Sequence, residues 1–242
     1  MQEGGIIIKM RLHRFIRPVN LSQGILRLND AEMLNQLKNV FRLGEGAKII
    51  IADGRGGEAM AEIKSFYKDG VELAVTDVSK KAAAGKITAL YLAIIKKDNF
   101  ETAVQKAVEC GISQVVPLVT NRTVKTNLNM ERLRKIALEA AEQCGRADIP
   151  QIDEPVKFTE AVVRSSGENV LLDRGGEPID GKLNSSAKVS VWIGPEGGWD
   201  EDELEKARIK GFKVISLGPL TLRAETAAII GAYLAVHRDM RI

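Results

Sequence analysis

Over its last two thirds, the chain alternates short apolar segments with longer segments of helical periodicity, and this alternation restricts the fold more than any other feature. The apolar segments predict strands over Ile87–Ile95, Gln114–Val119, Asn169–Asp173, Lys188–Ile193 and Lys213–Leu217. The periodic segments predict helices over Phe100–Cys110, Met130–Cys144, Glu201–Lys210 and Ala224–Arg238. Strands that alternate with helices form a mostly parallel sheet with helices on both faces. We therefore predict an α/β domain.

Residue types at the ends of these segments agree with that assignment. Gly111, Gly145 and Gly211 follow predicted helices, at the position where glycine commonly ends a helix. Asp200 and Glu203 form a capping box in front of the third helix. The last helix is nearly uncharged, which predicts burial in a core or against a partner subunit.

The first third of the chain has a different pattern. Asn29 and Glu32 form a capping motif, and Gly44 ends the helix that this motif predicts. The apolar face of that helix consists of Leu34, Leu37, Val40 and Phe41. Strand-like segments follow at Ala47–Ala52, Ala59–Phe66 and Val71–Val78. One helix beside hairpin-linked strands predicts a small β-barrel over residues 1–79, and a flexible KKAAAG segment separates it from the α/β domain at 80–242.

Composition excludes several function classes. Cys110 and Cys144 are too few for a disulfide framework or a cysteine-rich zinc site, and His13 and His237 are isolated, so we expect no metal. The apolar runs are too short to cross a bilayer, and no signal peptide is visible, so we expect a cytoplasmic protein without membrane contact.

Positive charge is concentrated near the start of the chain. The formal net charge of the chain is +3, whereas residues 1–28 hold five basic side chains and one acidic one, a local net charge of +4. Such a cluster attracts a polyanion, and it also guards the exposed edge of a sheet against pairing. Both interpretations are open at this point.

Two glycine-bearing bends follow the last two predicted strands. Gly194–Gly198 (GPEGG) follows one strand, and the acidic Glu196 within it is expected to be buried. Leu217–Leu220 (LGPL) follows the next strand, and Arg223 and Glu225 come directly after it, at the start of the last helix. In parallel α/β domains ligands collect at the carboxyl ends of strands, and glycine allows the backbone to approach them closely. Neither bend is a P-loop or a dinucleotide fingerprint.

Several motifs together resemble one family. The segments IGPEGG, LGPLTLRAETA, ALEAAEQCGR, RLHRFI, NVFRLGEG and DGRGGE are similar to those of the RsmE family, the 16S ribosomal RNA uracil N3-methyltransferases of the SPOUT class. The resemblance extends over the chain from Met10 onward. It implies a PUA-like barrel that contacts RNA, then an α/β domain with a trefoil knot that binds S-adenosylmethionine (SAM). It also implies a homodimer that acts on 16S ribosomal RNA or on the small ribosomal subunit.

The resemblance assigns site residues in this sequence. Those expected to line the cofactor are Leu172, Gly194, Pro195, Glu196, Gly197, Gly198, Leu217, Gly218, Leu220, Leu222, Thr226 and Ala227. Methylation of a uracil N3 requires that its proton leave and that the resulting anion be stabilised. Arg223 is expected to stabilise the anion, and Glu225 or a water molecule to accept the proton. Alternatively, Glu225 holds Arg223 in place.

Basic residues are expected to contact RNA phosphates. They are Arg11, Arg14, Arg17, Arg42, Arg55, Arg122 and Lys125. Because only 5% of residues are aromatic, shape and charge rather than base stacking are expected to supply most of the affinity. Two other functions remain open: methylation of a ribose 2′-oxygen on the same scaffold, and a non-catalytic RNA-binding factor in ribosome assembly.

Overall fold

The computed structural model describes residues 12–80, 87–124, 126–179 and 186–238. The chain divides into two compact units, one made of Met1–Ala82 with Gly145–Asp148 and the other of Ala83–Cys144 with Ile149–Ile242. The predicted boundary lies between residues 79 and 80, and no local pattern predicts that residues 145–148 belong to the first unit. They do so through backbone contacts: the Gly56 N–H donates to the Ala147 carbonyl (3.2 Å).

The first unit holds a five-stranded sheet and a short helix. Its strands are β1 (Arg14–Ile16), β2 (Gly24–Leu28), β3 (Lys48–Ala52), β4 (Gly57–Tyr67) and β5 (Gly70–Lys80), and its helix is α1 (Ala31–Asn35), continued by a π-helical turn over Gln36–Val40. The strand order is β1-β3-β4-β5-β2, in which β1 is parallel to β3 and all other neighbours are antiparallel. Alternate side chains of the central strands form one apolar core against α1.

The start of α1 differs from the prediction. Its N-cap is Asp30, whose carboxylate accepts a hydrogen bond from the Met33 N–H (2.8 Å). Asn29, the predicted N-cap, accepts a hydrogen bond from the Tyr67 hydroxyl (2.8 Å) instead. Two adjacent residues were suitable as caps, and a contact with β4 selects the second.

The end of this helical segment also differs, because a π-helical turn replaces the last α-helical turn. The segment ends at Val40 rather than close to Gly44. Leu37 is fully buried, as predicted, but Val40 and Phe41 are 60% and 39% exposed. A π-helical turn holds more residues than an α-helical one, so the residues after it no longer share the face of Leu37. Val40 and Phe41, whose spacing placed them on the apolar face of a regular helix, therefore do not belong to the buried face.

The second unit is an α/β domain with a parallel sheet. Its strands are β6 (Ile87–Ala93), β7 (Gln114–Val119), β8 (Gln151–Ile152), β9 (Val156–Lys157), β10 (Glu168–Pro178), β11 (Lys188–Ile193) and β12 (Lys213–Ser216), and its helices are α2 (Lys97–Cys110), α3 (Met130–Cys144), α4 (Phe158–Arg164), α5 (Glu201–Ile209) and α6 (Ala224–Val236). The strand order is β12-β10-β11-β6-β7-β8, with β9 also on β7, and every pair is parallel. All predicted strands and helices of this unit are present, whereas β8, β9 and α4 were not predicted. The trefoil knot stays a prediction.

Strand β10 is longer than predicted because it leaves the sheet and returns to it. Leu172 and Glu177 both pair with Ile215 of β12, so the four residues between them form an excursion from the strand. The excursion carries Asp173 and Arg174, at the carboxyl end of the predicted part of the strand.

Helices cover both faces of this sheet. On one face, Trp192 of β11 stacks on Tyr91 at 3.9 Å between ring centroids and packs in a cluster with α4 and α5. Val191, its neighbour in the strand, faces α6 on the other side. Among the helices of the described ranges, none is both long and apolar enough to cross a bilayer.

Helix α6 approaches the sheet through a glycine. A Cβ atom added at Gly231 would lie 2.9 Å from Val191 Cγ1 and 3.0 Å from Leu172 Cδ1, both closer than normal packing allows. The buried face of α6 consists of small residues, namely Ala224, Ala228, Gly231, Ala232 and Ala235. The lack of side-chain bulk on this face therefore sets how close α6 lies to β10 and β11.

Replacing this glycine tests the close approach. We expect Gly231→Val to reduce the free energy of unfolding by about 1–3 kcal/mol, because the new methyl groups overpack the interface. A Gly44→Val control meets no atom within 4 Å of its new Cβ and should leave the thermal unfolding profile unchanged. Equal unfolding midpoints for the two variants in calorimetry would contradict the close approach.

Candidate functional site

A cavity of about 460 Å³ lies where β10, β11 and β12 of the second unit end. All residues predicted for the cofactor and for catalysis line it, except Gly197 and Thr226. The Gly197 carbonyl instead accepts a hydrogen bond from Arg122, and Thr226 lies on α6, where successive residues are turned by roughly 100°. The two glycine-bearing bends, which are far apart in sequence, thus form one cavity.

The first bend, Gly194–Gly198, is held by a tight turn and by an indole. The Gly198 N–H donates to the Pro195 carbonyl (2.8 Å), and Gly198 has a φ of 71°, which favours glycine. Trp199 is 5% exposed, and its Nε1 donates to the Leu172 carbonyl (3.0 Å). A Cβ at Gly194 would lie 3.1 Å from the Trp199 ring, so glycine lets the bend lie against the indole.

Glu196 is exposed, and the predicted burial of this carboxylate is wrong. Its Oε1 accepts a hydrogen bond from the Lys96 N–H (3.3 Å), in front of α2. The N-terminus of α2 has no capping side chain of its own. Because free N–H groups and the helix dipole favour negative charge there, Glu196 joins the first bend to α2 at the surface.

The second bend, Leu217–Leu220, is stabilised by a buried hydroxyl. The Ser216 Oγ donates to the Gly218 carbonyl (3.0 Å), and Ser216 is 8% exposed. Gly218 has a φ of 135°, a conformation that residues with a side chain rarely adopt. Beyond the bend, Arg174 of the β10 excursion donates from Nη1 to the Thr221 Oγ1 (3.3 Å).

Arg223 occupies the N-cap of α6 without stabilising the helix. Its side chain makes no capping hydrogen bond, and a cation at a helix N-terminus is repelled by the helix dipole. Among the described residues, no ion pair joins Arg223 to Glu225 or to another carboxylate. Arg223 is exposed and lines the cavity, so its guanidinium and the N-terminus of α6 present positive charge there.

Three carboxylates line the cavity, and they differ in their hydrogen bonds. Asp173 accepts a hydrogen bond from the Gly175 N–H (2.8 Å), and Glu196 accepts one from Lys96, as described above. Within the described ranges, Glu225 makes no hydrogen bond or ion pair. Also within those ranges, no three His, Cys, Asp or Glu side chains are grouped as metal ligands would be.

Some of the lining residues carry no motif that assigns them to the site. They are Asn99, Asp173, Arg174, Ile193, Trp199, Ser216, Thr221 and Ala224. Asp173 ends a predicted strand, and this position was a usable signal. Asn99 lies in the first turn of α2 and carried no such signal.

The loop after β7 contacts the first bend. Arg122 Nη1 donates to the Gly197 carbonyl (2.6 Å), and the Asn121 N–H donates to Oε1 of Glu203 (2.9 Å). The Asn121 side chain also donates to Asp200, and this hydrogen bond holds the pKa of the Asp200 carboxyl below its usual value. Glu203 is 1% exposed and completes the predicted capping box of α5. Lys125, the last basic residue of this loop, lies outside the described residues.

Two of the arginines predicted to contact RNA are engaged within the first unit. Arg14 pairs with Glu58 (2.6 Å) and Arg17 with Asp30, and their side chains are 9% and 12% exposed. Arg42 and Arg55 are exposed, and Arg11 lies outside the described residues. Of the predicted phosphate contacts that the structure describes in this unit, Arg42 and Arg55 are therefore the accessible ones.

Glu203 connects three segments, and its replacement tests this connection. We expect Glu203→Gln to reduce the free energy of unfolding by about 1–3 kcal/mol, because the new amide nitrogen faces a partly buried N–H that loses its acceptor. Hydrogen exchange should accelerate at residues 120–124 and in the first bend. Glu205→Gln, on the exposed side of the same helix, is the control. Unchanged exchange in Glu203→Gln would contradict this role.

Comparison with known proteins agrees with this architecture. A family model described as an RNA methyltransferase domain matches residues 84–235, and one described as an RNA methyltransferase PUA domain matches residues 37–76. The chain is 31% identical to the ribosomal RNA small subunit methyltransferase E of Rickettsia conorii over 202 residues, which are 81% of this chain and 83% of that protein.

Two solved structures have the same fold over nearly the whole chain. One is the ribosomal RNA small subunit methyltransferase E of Neisseria gonorrhoeae bound to S-adenosyl methionine (27% identity, TM-score 0.85, 95% of this chain and 98% of that chain). The other is a methyltransferase of Legionella pneumophila in complex with its bound cofactor SAM (28% identity, TM-score 0.83, 95% and 98%). The predicted fold class, a PUA-like domain followed by an α/β methyltransferase domain, is confirmed. The chain belongs to the ribosomal RNA small subunit methyltransferase E family.

Proposed function

We propose that this protein transfers a methyl group from SAM to N3 of a uridine in 16S ribosomal RNA. The observation that carries the proposal is the convergence of both bends and the uncapped start of α6, with Arg223, on one cavity. Relatives named as methyltransferases of small-subunit ribosomal RNA support the substrate class. Their substrate favours a cytoplasmic location.

The cavity suits a nucleoside cofactor. Its volume of about 460 Å³ lies within the range of roughly 300–1,000 Å³ typical of small-molecule sites. Leu172, Ile193 and Leu217 offer apolar contacts to a base, and the backbone groups of the bends offer hydrogen bonds. SAM supplies a methyl group on a positively charged sulfur. Among the described residues, the lining holds no cluster of lysines such as a triphosphate would require.

Arg223 is assigned to charge stabilisation during the transfer. When the N3 proton leaves, negative charge spreads over the uracil ring and its carbonyl oxygens. A guanidinium at the N-terminus of a helix stabilises such charge, and both groups are in place before the reaction. The unfavourable position of Arg223 for the helix itself supports a role in catalysis rather than in folding.

Glu225 is assigned as the proton acceptor, either directly or through a water molecule. Of the three carboxylates that line the cavity, it is the one without a hydrogen bond among the described residues. A general base needs a free oxygen within reach of the proton. A role in holding Arg223 finds less support, since no ion pair joins the two side chains.

Those predicted phosphate contacts that are exposed among the described residues are assigned to the RNA backbone. They are Arg42 and Arg55 in the first unit and Arg122 in the second. We assign RNA contact mainly to residues 1–79 and cofactor binding and methyl transfer to residues 80–242. Because Arg122 contacts Gly197, it links the RNA-facing loop to the wall of the cofactor site.

Removing the guanidinium tests the assigned chemistry. We expect Arg223→Ala to fold normally and to bind SAM in calorimetry. Its turnover rate should fall by a factor of about 10²–10³. The assay measures labelled methyl transfer from SAM to small ribosomal subunits that lack the modification. Arg134→Ala, which breaks an exposed ion pair with Glu154, is the control and should be fully active.

Mass spectrometry of the digested RNA identifies the methylated atom. Methyl on a ribose would reject the N3 assignment in favour of 2′-O transfer, and wild-type protein without SAM binding would indicate a non-catalytic RNA-binding factor. Near-normal turnover of Arg223→Ala would reject the role of that residue.

We also propose that the protein is a homodimer, with α6 at the interface. The face of α6 opposite to Gly231 exposes Ile230 (37%) and Tyr233 (46%), and Leu220 in the second bend is 78% exposed. Large apolar side chains that are exposed together on one surface are typical of a surface that a partner covers. A second copy that covers this face would also lie next to the cavity.

Adding charge to this face tests the dimer. We expect Tyr233→Glu to shift sedimentation from dimer to monomer at micromolar concentration, because an unpaired carboxylate would be buried in the interface. Ile209→Glu places the same charge on an exposed apolar position of α5 and should leave sedimentation unchanged. A wild-type protein that sediments as a monomer would reject the proposal.

A further inference from the structure

An exposed pair of aromatic rings lies on the first unit. The His13 ring is 4.1 Å from the Phe41 ring between centroids, with an angle of 32° between the planes. Phe41 also contacts the buried Phe15 in an edge-to-face arrangement, at 5.9 Å. His13 is exposed, and Phe41 is 39% exposed. Phe41 therefore packs against the core residue Phe15, and His13 lies on the solvent side of Phe41.

The backbone around the pair is hydrogen-bonded and has an unusual conformation. The Ile50 N–H donates to the His13 carbonyl (2.9 Å), which ties His13 to β3. On the other side, Phe41 directly follows the π-helical turn, and its N–H donates to the Gln36 carbonyl (2.9 Å). The next residue, Arg42, has a φ of 54°, a left-handed conformation that is unfavourable for arginine. Rare helical turns and strained backbone are concentrated at functional sites.

These irregularities have a common result, which is the exposure of adjacent apolar and basic groups. A regular helix would direct Phe41 towards the face of Leu37, whereas the π-helical turn leaves it at the surface. Arg42 is exposed beside it and, among the described residues, has no carboxylate partner. In contrast, Arg14 and Arg17 of the same unit are neutralised by Glu58 and Asp30.

We propose that His13 and Phe41 form a stacking platform for one unpaired base of the RNA substrate, and that Arg42 binds the adjacent phosphate. The inference rests on the proposed function, since it takes RNA as the substrate. An aromatic ring beside an unpaired cation is the arrangement that holds single-stranded RNA, in which bases stack and phosphates pair with arginine. The match to an RNA methyltransferase PUA domain begins at residue 37 and includes Phe41 and Arg42. A single platform is compatible with the low aromatic content.

Two substitutions separate stacking from charge without disturbing the core. His13→Ala removes the exposed ring and leaves the packing of Phe41 on Phe15. Arg42→Gly removes the charge, and glycine adopts the positive φ without strain. Lys64→Ala, in an exposed ion pair with Glu62, is the matched control. All variants are made in the full-length chain, and calorimetric binding of SAM serves as the check on folding.

Affinity for a short single-stranded RNA, measured at several salt concentrations, gives the readout. We expect each substitution to weaken binding about tenfold. Arg42→Gly should also reduce the slope of log affinity against log salt concentration by an amount that corresponds to about one released counterion. His13→Ala at pH 8 should leave this slope unchanged. In an RNA that carries 2-aminopurine, binding should quench the fluorescence of the base, and His13→Ala should reduce this quenching.

Methyl transfer by the wild-type protein is measured in the same preparations. If the wild type methylates RNA but both variants bind RNA as tightly as Lys64→Ala, the platform is rejected and the proposed function stands. If the wild type transfers no methyl group, the proposed function is rejected. Loss of RNA affinity without a change in 2-aminopurine quenching would reject base stacking on His13 and Phe41.

Discussion

The close approach of α6 to the sheet determines the geometry of the second unit. Because Gly231 presents no side chain to Val191 and Leu172, the helix lies near enough to β10 and β11 for its first turn to border both glycine-bearing bends. That approach brings Arg223 and Glu225 to the cavity and leaves the larger apolar residues of the helix on its outer face. The same packing thus links the candidate active site to the proposed dimer surface.

Much of the second unit could be predicted from sequence because its signals are local or follow general rules of topology. The capping box of Asp200 and Glu203 is a short-range pattern, and it is present as predicted. The bends after β11 and β12 could be assigned to one site because carboxyl ends of parallel strands meet at one edge. Interactions between distant segments were missed. The hydrogen bond from Arg122 to Gly197 joins residues 75 positions apart, and no spacing predicts it.

The first unit was predicted less well, and the reasons are physical. Asn29 and Asp30 are both good N-caps, and the hydrogen bond from Tyr67 decides between them. One π-helical turn redirects Phe41 from the core to the surface, although the apolar spacing is that of a regular helix. Burial of Arg14 and Arg17 depends on Glu58 and Asp30, which a count of basic residues does not reveal. These differences arise where tertiary contacts override local preference, and one of them lies at the inferred base-binding platform.

The excursion in β10 allows residues at the cavity wall to differ without changing how β10 pairs with β12. Since Leu172 and Glu177 both pair with Ile215, the strand re-enters the ladder at the residue where it left. Within this segment Gly176 is restricted, since a Cβ atom there would lie 2.7 Å from the Ile215 backbone, whereas Asp173 and Arg174 can change without shifting the register of β12. Asp173 and Arg174, which line the cavity, belong to this segment. The wall of the cavity can therefore vary at these two positions while the sheet keeps its register.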